Sequence, residues 1–273
     1  MIVFETIETT VERQICTLWL SRPDSRNAIN GQMAEELLVC LDALAMDEDV
    51  RVLIIRGRGK VFCAGGDLNW MLSEQTLKET GRPADLLSAL YRKLYFFPKP
   101  VIAYVHGFAM GGALGLLACA DYVLAEDHAF LAFSEVRLGL VPATISPFVV
   151  RRIGEFRSRQ LMLHGGRISA AEAREAGLVD IVVSALPASG EPAVQKSAGE
   201  TLLDELSASL GENAPMAMQA CKQLITKVSG EPLSKEVLAY TSELLAQLIS
   251  GPEAREGVRA FREKRKPEWP QNM

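Results

Sequence analysis

Apolar residues in the first two thirds of the chain alternate between the spacing of strands and that of helices. Met33, Leu37 and Leu41 recur every fourth residue, which predicts a helix that begins near residue 30 or 31. Short apolar runs predict buried strands at residues 15–20, 50–56, 101–105, 121–124 and 178–183. Strands that are buried on both faces and separated by helices are typical of an α/β fold.

The last third of the chain has a different pattern. Residues 184–199 are rich in Ser, Ala, Pro and Gly, which favours a linker. Helical spacing follows in residues 202–210, 214–228, 234–249 and 252–264. We therefore expect a core domain over residues 1–190 and a helical region over residues 191–273.

Composition and charge narrow the class of protein. The 273 residues are 48% hydrophobic and 23% charged, which is typical of a folded, soluble protein. A net charge of −5 disfavours a nucleic-acid partner, although local clusters of basic residues leave an anionic ligand open. Five cysteines without a CxxC pair favour free thiols and a cytoplasmic location. Three scattered histidines predict no metal site.

Membrane and export segments are not expected. The first residues carry acidic side chains and no long apolar run, so no signal peptide is predicted. The longest apolar stretch, residues 107–120, is interrupted by glycines and is shorter than the ~20 residues that span a bilayer.

Two glycine pairs each follow a predicted strand. Gly65-Gly66 permits a sharp turn and lets a ligand approach the backbone N–H groups. Gly111-Gly112 precedes a predicted helix, where unpaired N–H groups favour a developing anion. Taken singly, the first pair is also consistent with a plain strand-to-helix turn. The second is also consistent with the close packing of a small-residue helix.

Glu135 lies within the mostly apolar stretch 133–143. A buried carboxylate is costly unless it is paired or protonated, and a raised pKa suits an acid–base catalyst. The alternative is a surface glutamate in an ion pair with Arg137.

Taken together, these motifs resemble the crotonase superfamily, also called the enoyl-CoA hydratase/isomerase family. The resemblance covers nearly the whole chain: it begins at Arg22-Pro23-Asp24-Ser25-Arg26-Asn27-Ala28 and ends in residues 256–267. It implies a spiral of ββα turns followed by a helical trimerisation region. It also implies an acyl-CoA substrate, assembly as a trimer or a pair of trimers, and no cofactor, since coenzyme A is part of the substrate.

The resemblance assigns roles to individual residues. The backbone N–H groups of Gly66 and Gly112 would form an oxyanion hole, and Glu135 would be the acid–base residue. Such donors stabilise the enolate of a thioester, and losing one typically costs ~10²–10³ in rate. The positions that would contact coenzyme A or the acyl group are Arg26, Ala28, Lys60, Ala64, Asp67, Leu68, Gly115 and, from a neighbouring subunit, Lys264.

The chain departs from the family at one position. A hydratase with two glutamates carries the first of them three residues after the oxyanion glycine, where this chain has Gly115. Residues 112 and 115 are one helical turn apart, so we expect Gly115 to face the pocket and to leave open space there. Three alternatives follow: Glu135 works alone, the substrate supplies a carboxylate, or the reaction is an isomerisation or hydrolysis rather than a hydration.

The local sequence favours hydration. Residues 134–149 and the stretch 67–71 are similar to a bacterial branch that hydrates 3-methylglutaconyl-CoA or isohexenylglutaconyl-CoA, in leucine or acyclic-terpene breakdown. That branch also has glycine at the position of Gly115. The candidates for binding the distal carboxylate of such a substrate are Lys78, Arg82, Arg92 and Lys93. Trp70, Met71, Leu87, Leu90 and Tyr91 either line the acyl pocket or pack in the core.

Other classes fit less well. In residues 56–60 the glycine spacing is wrong for a phosphate loop, and Val61 rather than Ser or Thr follows Lys60. The chain has no GxSxG motif, so a serine hydrolase is not supported. A non-catalytic acyl-CoA binder stays open, although such a binder has no need for Glu135.

Overall fold

The computed structural model describes residues 3–73, 83–186 and 196–270. The chain forms two compact units, Met1–Ala208 and Ser209–Met273. The predicted boundary after residue 190 and most of the predicted linker lie outside the described residues.

The first unit is built on a six-stranded sheet. Its strands are β1 (Ile7–Glu12), β2 (Ile15–Leu20), β3 (Val52–Gly57), β4 (Val101–Val105), β6 (Tyr122–Glu126) and β9 (Ile181–Val183), which lie side by side in that order. β1 is antiparallel to β2, and the other neighbours are parallel. Every residue of β4 is buried, as expected for a strand that is covered on both faces. The α/β class predicted from the apolar runs is confirmed.

The chain also forms a second, smaller sheet, two of whose strands end shortly before Gly111 and Glu135. It contains β5 (Phe108–Met110), β7 (Phe130–Ala132) and β8 (Arg167–Ser169). β5 and β7 are parallel, and β8 is antiparallel to β7. Strands of three residues are too short to show a period, so the sequence pattern does not predict them.

Helices cover the sheets of the first unit. They are α1 (Gly31–Met46), α2 (Leu68–Met71), α3 (Pro83–Tyr95), α4 (Ala113–Cys119), α5 (Ser146–His164), α6 (Ala170–Glu175) and α7 (Ala198–Gly211), the last of which ends in the second unit. α1 begins where predicted, because the Asn30 side chain accepts a hydrogen bond from the Met33 N–H (3.0 Å). α4 packs against α3 and α5, which brings three separate parts of the chain together around it.

The second unit is helical. Its helices are α8 (Pro215–Val228), α9 (Lys235–Ile249) and α10 (Pro252–Glu263), within a residue of the predicted bounds. The Glu253 carboxylate accepts hydrogen bonds from the Met216 and Ala217 N–H groups at the start of α8. The Glu256 carboxylate accepts from Arg265 (2.6 Å) and from the Glu268 N–H (2.9 Å), which lower the pKa of Glu256 to about 2. The closing motif therefore folds the end of the chain onto α10.

Two findings bear on broader classes of function. In the described ranges, no helix is long and apolar enough to cross a membrane. All five cysteines lie in the described ranges and none forms a disulfide, as predicted; Cys221 is exposed and the others are buried.

Candidate active site

The candidate site is built where three segments of the chain run side by side. Isolated parallel bridges join Ile29 to Gly66 and Cys63 to Ala109. The Asp67 N–H, next to Gly66, donates a hydrogen bond to the Ile29 carbonyl (2.9 Å) and holds the Gly65-Gly66 turn against that segment. The segments are residues 26–29, 62–67 and 106–110. The Gly65-Gly66 and Gly111-Gly112 pairs are therefore close together in the fold, although they are distant in sequence.

Backbone geometry demands glycine at these turns. Gly65 has φ +95°, and a Cβ there would lie 2.5 Å from the Met110 carbonyl oxygen. Gly111 has φ +52°. A Cβ on Gly112 would lie 3.3 Å from the Gly66 nitrogen, so the two amides that the resemblance assigns to an oxyanion hole are neighbours. Within the described parts of the chain, neither amide donates to a protein acceptor. Two free N–H donors side by side suit an oxygen that gains negative charge.

Glu135 approaches the second glycine pair from β7. It begins a short 3₁₀ helix, Glu135–Leu138, and its side chain is half-buried. A Cβ on Gly111 would lie 3.4 Å from its Oε1. Its Oε2 is buried and has no hydrogen-bond partner among the described residues, and burial raises the pKa of Glu135. The structure contradicts the alternative of a surface glutamate paired with Arg137, since Glu135 is half-buried and its Oε2 has no partner among the described residues.

Gly115 does not face open space. A Cβ on this residue would lie 2.4 Å from Ile145 Cγ2 and 2.7 Å from Tyr91 Cε1. Both side chains are buried, at 1% and 0% exposure. The expectation that glycine leaves room here is wrong, because Ile145 at the start of α5 and Tyr91 of α3 fill the place that a side chain at 115 would take.

The turn after Gly66 carries two further predicted residues. The Asp67 carboxylate accepts from the Asn69 N–H (3.1 Å) at the start of α2, and it pairs with Arg22 (3.1 Å). Asp67 thus shapes the loop, and a direct contact with substrate stays a prediction. Leu68 is exposed, and a Cβ on Gly66 would lie 2.7 Å from Met71 Sδ.

The apolar residues proposed for the acyl pocket divide into two groups. Leu87, Leu90 and Tyr91 are fully buried in the core. Trp70 and Met71 are half-buried and pack against that core, so they alone combine some exposure with proximity to the Gly66 turn.

The residues proposed to contact coenzyme A lie on two loops. Arg26 and Lys60 are exposed, and Ala28 and Ala64 are half-buried. The Arg26 carbonyl accepts from the Ala64 N–H (2.9 Å), so the first loop touches the Gly65-Gly66 turn.

Asn27 ties these loops together, a role that the sequence analysis missed. Its buried side-chain amide donates to the carbonyls of Arg58 (2.8 Å) and Val61 (3.0 Å). Its Oδ1 accepts from the Arg22 N–H (2.9 Å). Asn27 also has φ +55°, a conformation that asparagine tolerates better than most residues. The available signal was an asparagine directly after a basic residue in a loop.

Of the four cations proposed for a distal carboxylate, the structure describes Arg92 and Lys93, and both have other partners. Lys78 and Arg82 lie outside the described residues. Lys93 pairs with Asp42 of α1, and the Arg92 guanidinium lies 5.3 Å from the centre of the Phe96 ring.

Lys264 lies in the second unit. It ends α10 with φ +53°, and its side chain is exposed. Its contact with coenzyme A from a neighbouring subunit stays a prediction.

Known proteins share this architecture. The family model of enoyl-CoA hydratase/isomerase matches residues 10–272. The 2,3-dehydroadipyl-CoA hydratase of Escherichia coli (strain K12) is 34% identical over 269 residues, covering 96% of this chain and 98% of that protein. The 1,2-epoxyphenylacetyl-CoA isomerase of the same strain is 31% identical over 280 residues, covering 98% and 99%. A crystal structure of an enoyl-CoA hydratase from Shewanella pealeana matches with a TM-score of 0.86 at 33% identity, covering 97% of this chain and 96% of that chain. The chain therefore belongs to the enoyl-CoA hydratase/isomerase family, a family of enzymes, and has the crotonase fold that its motifs predict.

Proposed function

We propose that this enzyme adds water across the α,β double bond of a 3-branched glutaconyl-CoA, either 3-methylglutaconyl-CoA or isohexenylglutaconyl-CoA. One observation carries the proposal. Glu135 is a half-buried carboxylate whose buried Oε2 has no partner among the described residues, and it lies beside the turn whose Gly112 amide is free and adjacent to that of Gly66. The place of a first glutamate is filled by Tyr91 and Ile145, so a single carboxylate must serve both proton transfers.

The chemistry follows from these groups. The Gly66 and Gly112 amides donate to the thioester oxygen and stabilise the enolate that forms when water adds. Ionised Glu135 takes a proton from the water as its oxygen bonds to the β-carbon. Glu135 then returns that proton to the α-carbon, and the enolate collapses to the hydrated thioester. The raised pKa of Glu135 makes it a better base and leaves it able to hold the proton between the steps.

The substrate class rests on two supports. The sequence around Glu135 and the glycine at 115 are similar to the glutaconyl-CoA hydratase branch. In addition, one relative is named a hydratase of 2,3-dehydroadipyl-CoA, whose acyl group also ends in a carboxylate. Leucine or acyclic-terpene breakdown in the cytoplasm is the corresponding setting. Because Gly115 leaves no room, a long branch would have to leave the site on another side, such as past half-buried Met71.

Self-association is part of the proposal. The helix α9 exposes Leu238, Leu245 and Ile249 at 55%, 59% and 63%. These spacings of seven and four residues place the three side chains on one helix face. An apolar stripe of this kind supports assembly as a trimer or a pair of trimers. Light scattering after size-exclusion chromatography tests it, with Leu245→Glu expected to reduce the mass and a monomeric wild type contradicting it.

The substrate is tested by incubating the purified enzyme with crotonyl-CoA, 3-methylglutaconyl-CoA and isohexenylglutaconyl-CoA. The assay follows the loss of the conjugated enoyl-thioester absorbance and checks the product masses. We expect one glutaconyl ester to gain the mass of one water, with crotonyl-CoA a poor substrate. Good turnover of crotonyl-CoA alone would contradict the glutaconyl assignment. A change of absorbance without added mass would instead indicate an isomerase, the activity for which one relative is named.

A further inference from the structure

Tyr91 links the core to the candidate oxyanion hole. It lies in α3, has no solvent exposure, and its hydroxyl donates a hydrogen bond to the Gly112 carbonyl oxygen (2.8 Å). A Cβ on Gly112 would lie 2.8 Å from the same hydroxyl. Among the described residues, it is the one side chain with a hydrogen bond to the Gly111-Gly112 pair.

This bond matters because consecutive glycines have little conformational preference of their own. Gly111 is held by its N–H, which donates to the Ala132 carbonyl of β7 (2.9 Å). Gly112 is held through its carbonyl, which accepts from the Gly115 N–H (3.0 Å) and from Tyr91. The free Gly112 amide shares its peptide plane with the Gly111 carbonyl, which accepts from the Leu114 N–H (2.9 Å) in the first turn of α4. Tyr91 holds the next peptide unit, so its hydrogen bond is the side-chain contribution to the direction of this amide.

The ring of the same residue packs against Gly115. Tyr91 Cε1 and Cδ1 would lie 2.7 Å and 3.0 Å from a Cβ on Gly115. A glutamate at 115 could not coexist with this ring position, since contacts below 3.0 Å require a neighbour to shift. One side chain thus orients an oxyanion donor and occupies the place of the absent carboxylate.

We propose that Tyr91 is a positioning residue: its hydroxyl orients the Gly112 amide for the thioester oxygen, and its ring fills the place beside position 115 that a first glutamate would take. This inference rests on the oxyanion role given to Gly66 and Gly112 in the proposed function. Burial raises the pKa of Tyr91 well above its usual value, so the hydroxyl stays a donor at every working pH.

The test compares Tyr91→Phe with a matched control, Tyr95→Phe, one turn further along α3. Tyr95 is half-buried, and its ring contacts Phe96 edge to face and Phe148 at a tilted angle, contacts that phenylalanine retains. We expect Tyr91→Phe to lower kcat about tenfold, a fraction of the ~10²–10³ lost when an oxyanion donor is removed. Its KM should stay within about twofold, since the lost bond serves the transition state. Tyr95→Phe should match the wild type in both.

A spectroscopic signature separates this role from a purely structural one. A saturated 3-methylglutaryl-CoA with a ¹³C-labelled thioester carbonyl takes up no water, and its C=O stretch reports polarisation by the two amides. We expect a smaller downshift on binding to Tyr91→Phe than on binding to the wild type, and an unchanged downshift with Tyr95→Phe. 3-Fluorotyrosine at position 91, which keeps the donor, should restore both the downshift and kcat.

Two results would overturn the inference. One is an unchanged carbonyl stretch and kcat in Tyr91→Phe; the other is an equal loss with 3-fluorotyrosine, which keeps the hydroxyl and would show that the hydroxyl is not responsible. If Tyr91→Phe does not fold, the fluorotyrosine variant alone decides. Because the hydroxyl of 3-fluorotyrosine is more acidic and a stronger donor, the C=O stretch of the bound thioester must be shifted down by at least as much as in the wild type. Since the rate ratio is measured on whichever enoyl-CoA the wild type hydrates, loss of the glutaconyl assignment leaves this test intact.

Discussion

Gly115→Ala measures directly whether the place of a first glutamate is filled. The new Cβ would lie 2.4 Å from Ile145 Cγ2 and 2.7 Å from Tyr91 Cε1, and both neighbours are buried. Ordinary carbon contacts lie near ~3.5–4.0 Å, so the overlap is about 1.1–1.6 Å with Ile145 and about 0.8–1.3 Å with Tyr91. Side chains packed in a core cannot withdraw freely, and the added methyl must therefore displace α3 or α5 relative to α4.

The magnitude follows from two opposing effects. Overpacking of a core costs typically ~1–3 kcal/mol, and two simultaneous overlaps place this substitution near the upper end. Replacing glycine by alanine within a helix stabilises by about 1 kcal/mol. The net expectation is a loss of about 1–2 kcal/mol, or a fall in Tm of about 2–6 °C for a chain of this size. Activity should fall as well, because the displaced Tyr91 ring carries the hydroxyl that holds Gly112.

Gly211→Ala is the matched control. Gly211 ends α7, and a Cβ on it would meet nothing within 4 Å. Scanning calorimetry at a single protein concentration should show an unchanged or slightly raised Tm for this variant, and a lowered one for Gly115→Ala. If Gly115→Ala is as stable as Gly211→Ala and equally active, the site around Gly115 is open and the reasoning is refuted.

Three further substitutions test other contacts. Glu135→Gln should raise Tm at pH 7. The pKa of Glu135 in the folded chain lies above the unfolded value of 4.5, so ionisation of this carboxyl destabilises the fold as pH rises, and glutamine removes that cost. The difference in Tm should vanish in melts below pH 4.5. Glu256→Gln should lower Tm at pH 7. Because the pKa of Glu256 in the folded chain is about 2, its ionised carboxylate stabilises the fold above pH 4.5. The wild type should lose that advantage in circular-dichroism melts as pH falls toward 2. Asn27→Ala should destabilise the fold by about 2–4 kcal/mol, because it leaves several buried backbone groups without a hydrogen-bond partner. It should also raise KM for the CoA ester; an unchanged KM would show that Asn27 does not position the loops of Arg26 and Lys60.

Much of the fold could be predicted because its signals are local. The run that forms β4 is apolar over its whole length, β2 is apolar except for Thr17, and Asn30 supplies a capping side chain for α1. Glu135 was identifiable as a lone acid in an apolar stretch, and the structure places it half-buried with an unpartnered oxygen. The three-residue strands of the small sheet carry no such period and were not predicted.

The features of the site that could not be predicted from the sequence involve residues that come into contact only in the folded chain. The absence of a side chain at Gly115 suggested space, yet Tyr91 and Ile145 enter that space from two other helical segments. Asn27 is one polar letter in a loop, and its bonds to residues 58 and 61 appear only when the two loops are side by side. Packing across distant segments thus decides both points.

The most direct test of the single-carboxylate account is the hydration of 3-methylglutaconyl-CoA in H₂¹⁸O by the wild type and by Glu135→Gln. The wild type should yield a product that carries one ¹⁸O. The variant should yield none above background, while it binds the saturated 3-methylglutaryl-CoA within about twofold of the wild type, since the Gly66 and Gly112 amides are unchanged. Hydration that survives Glu135→Gln would contradict the central role of this residue.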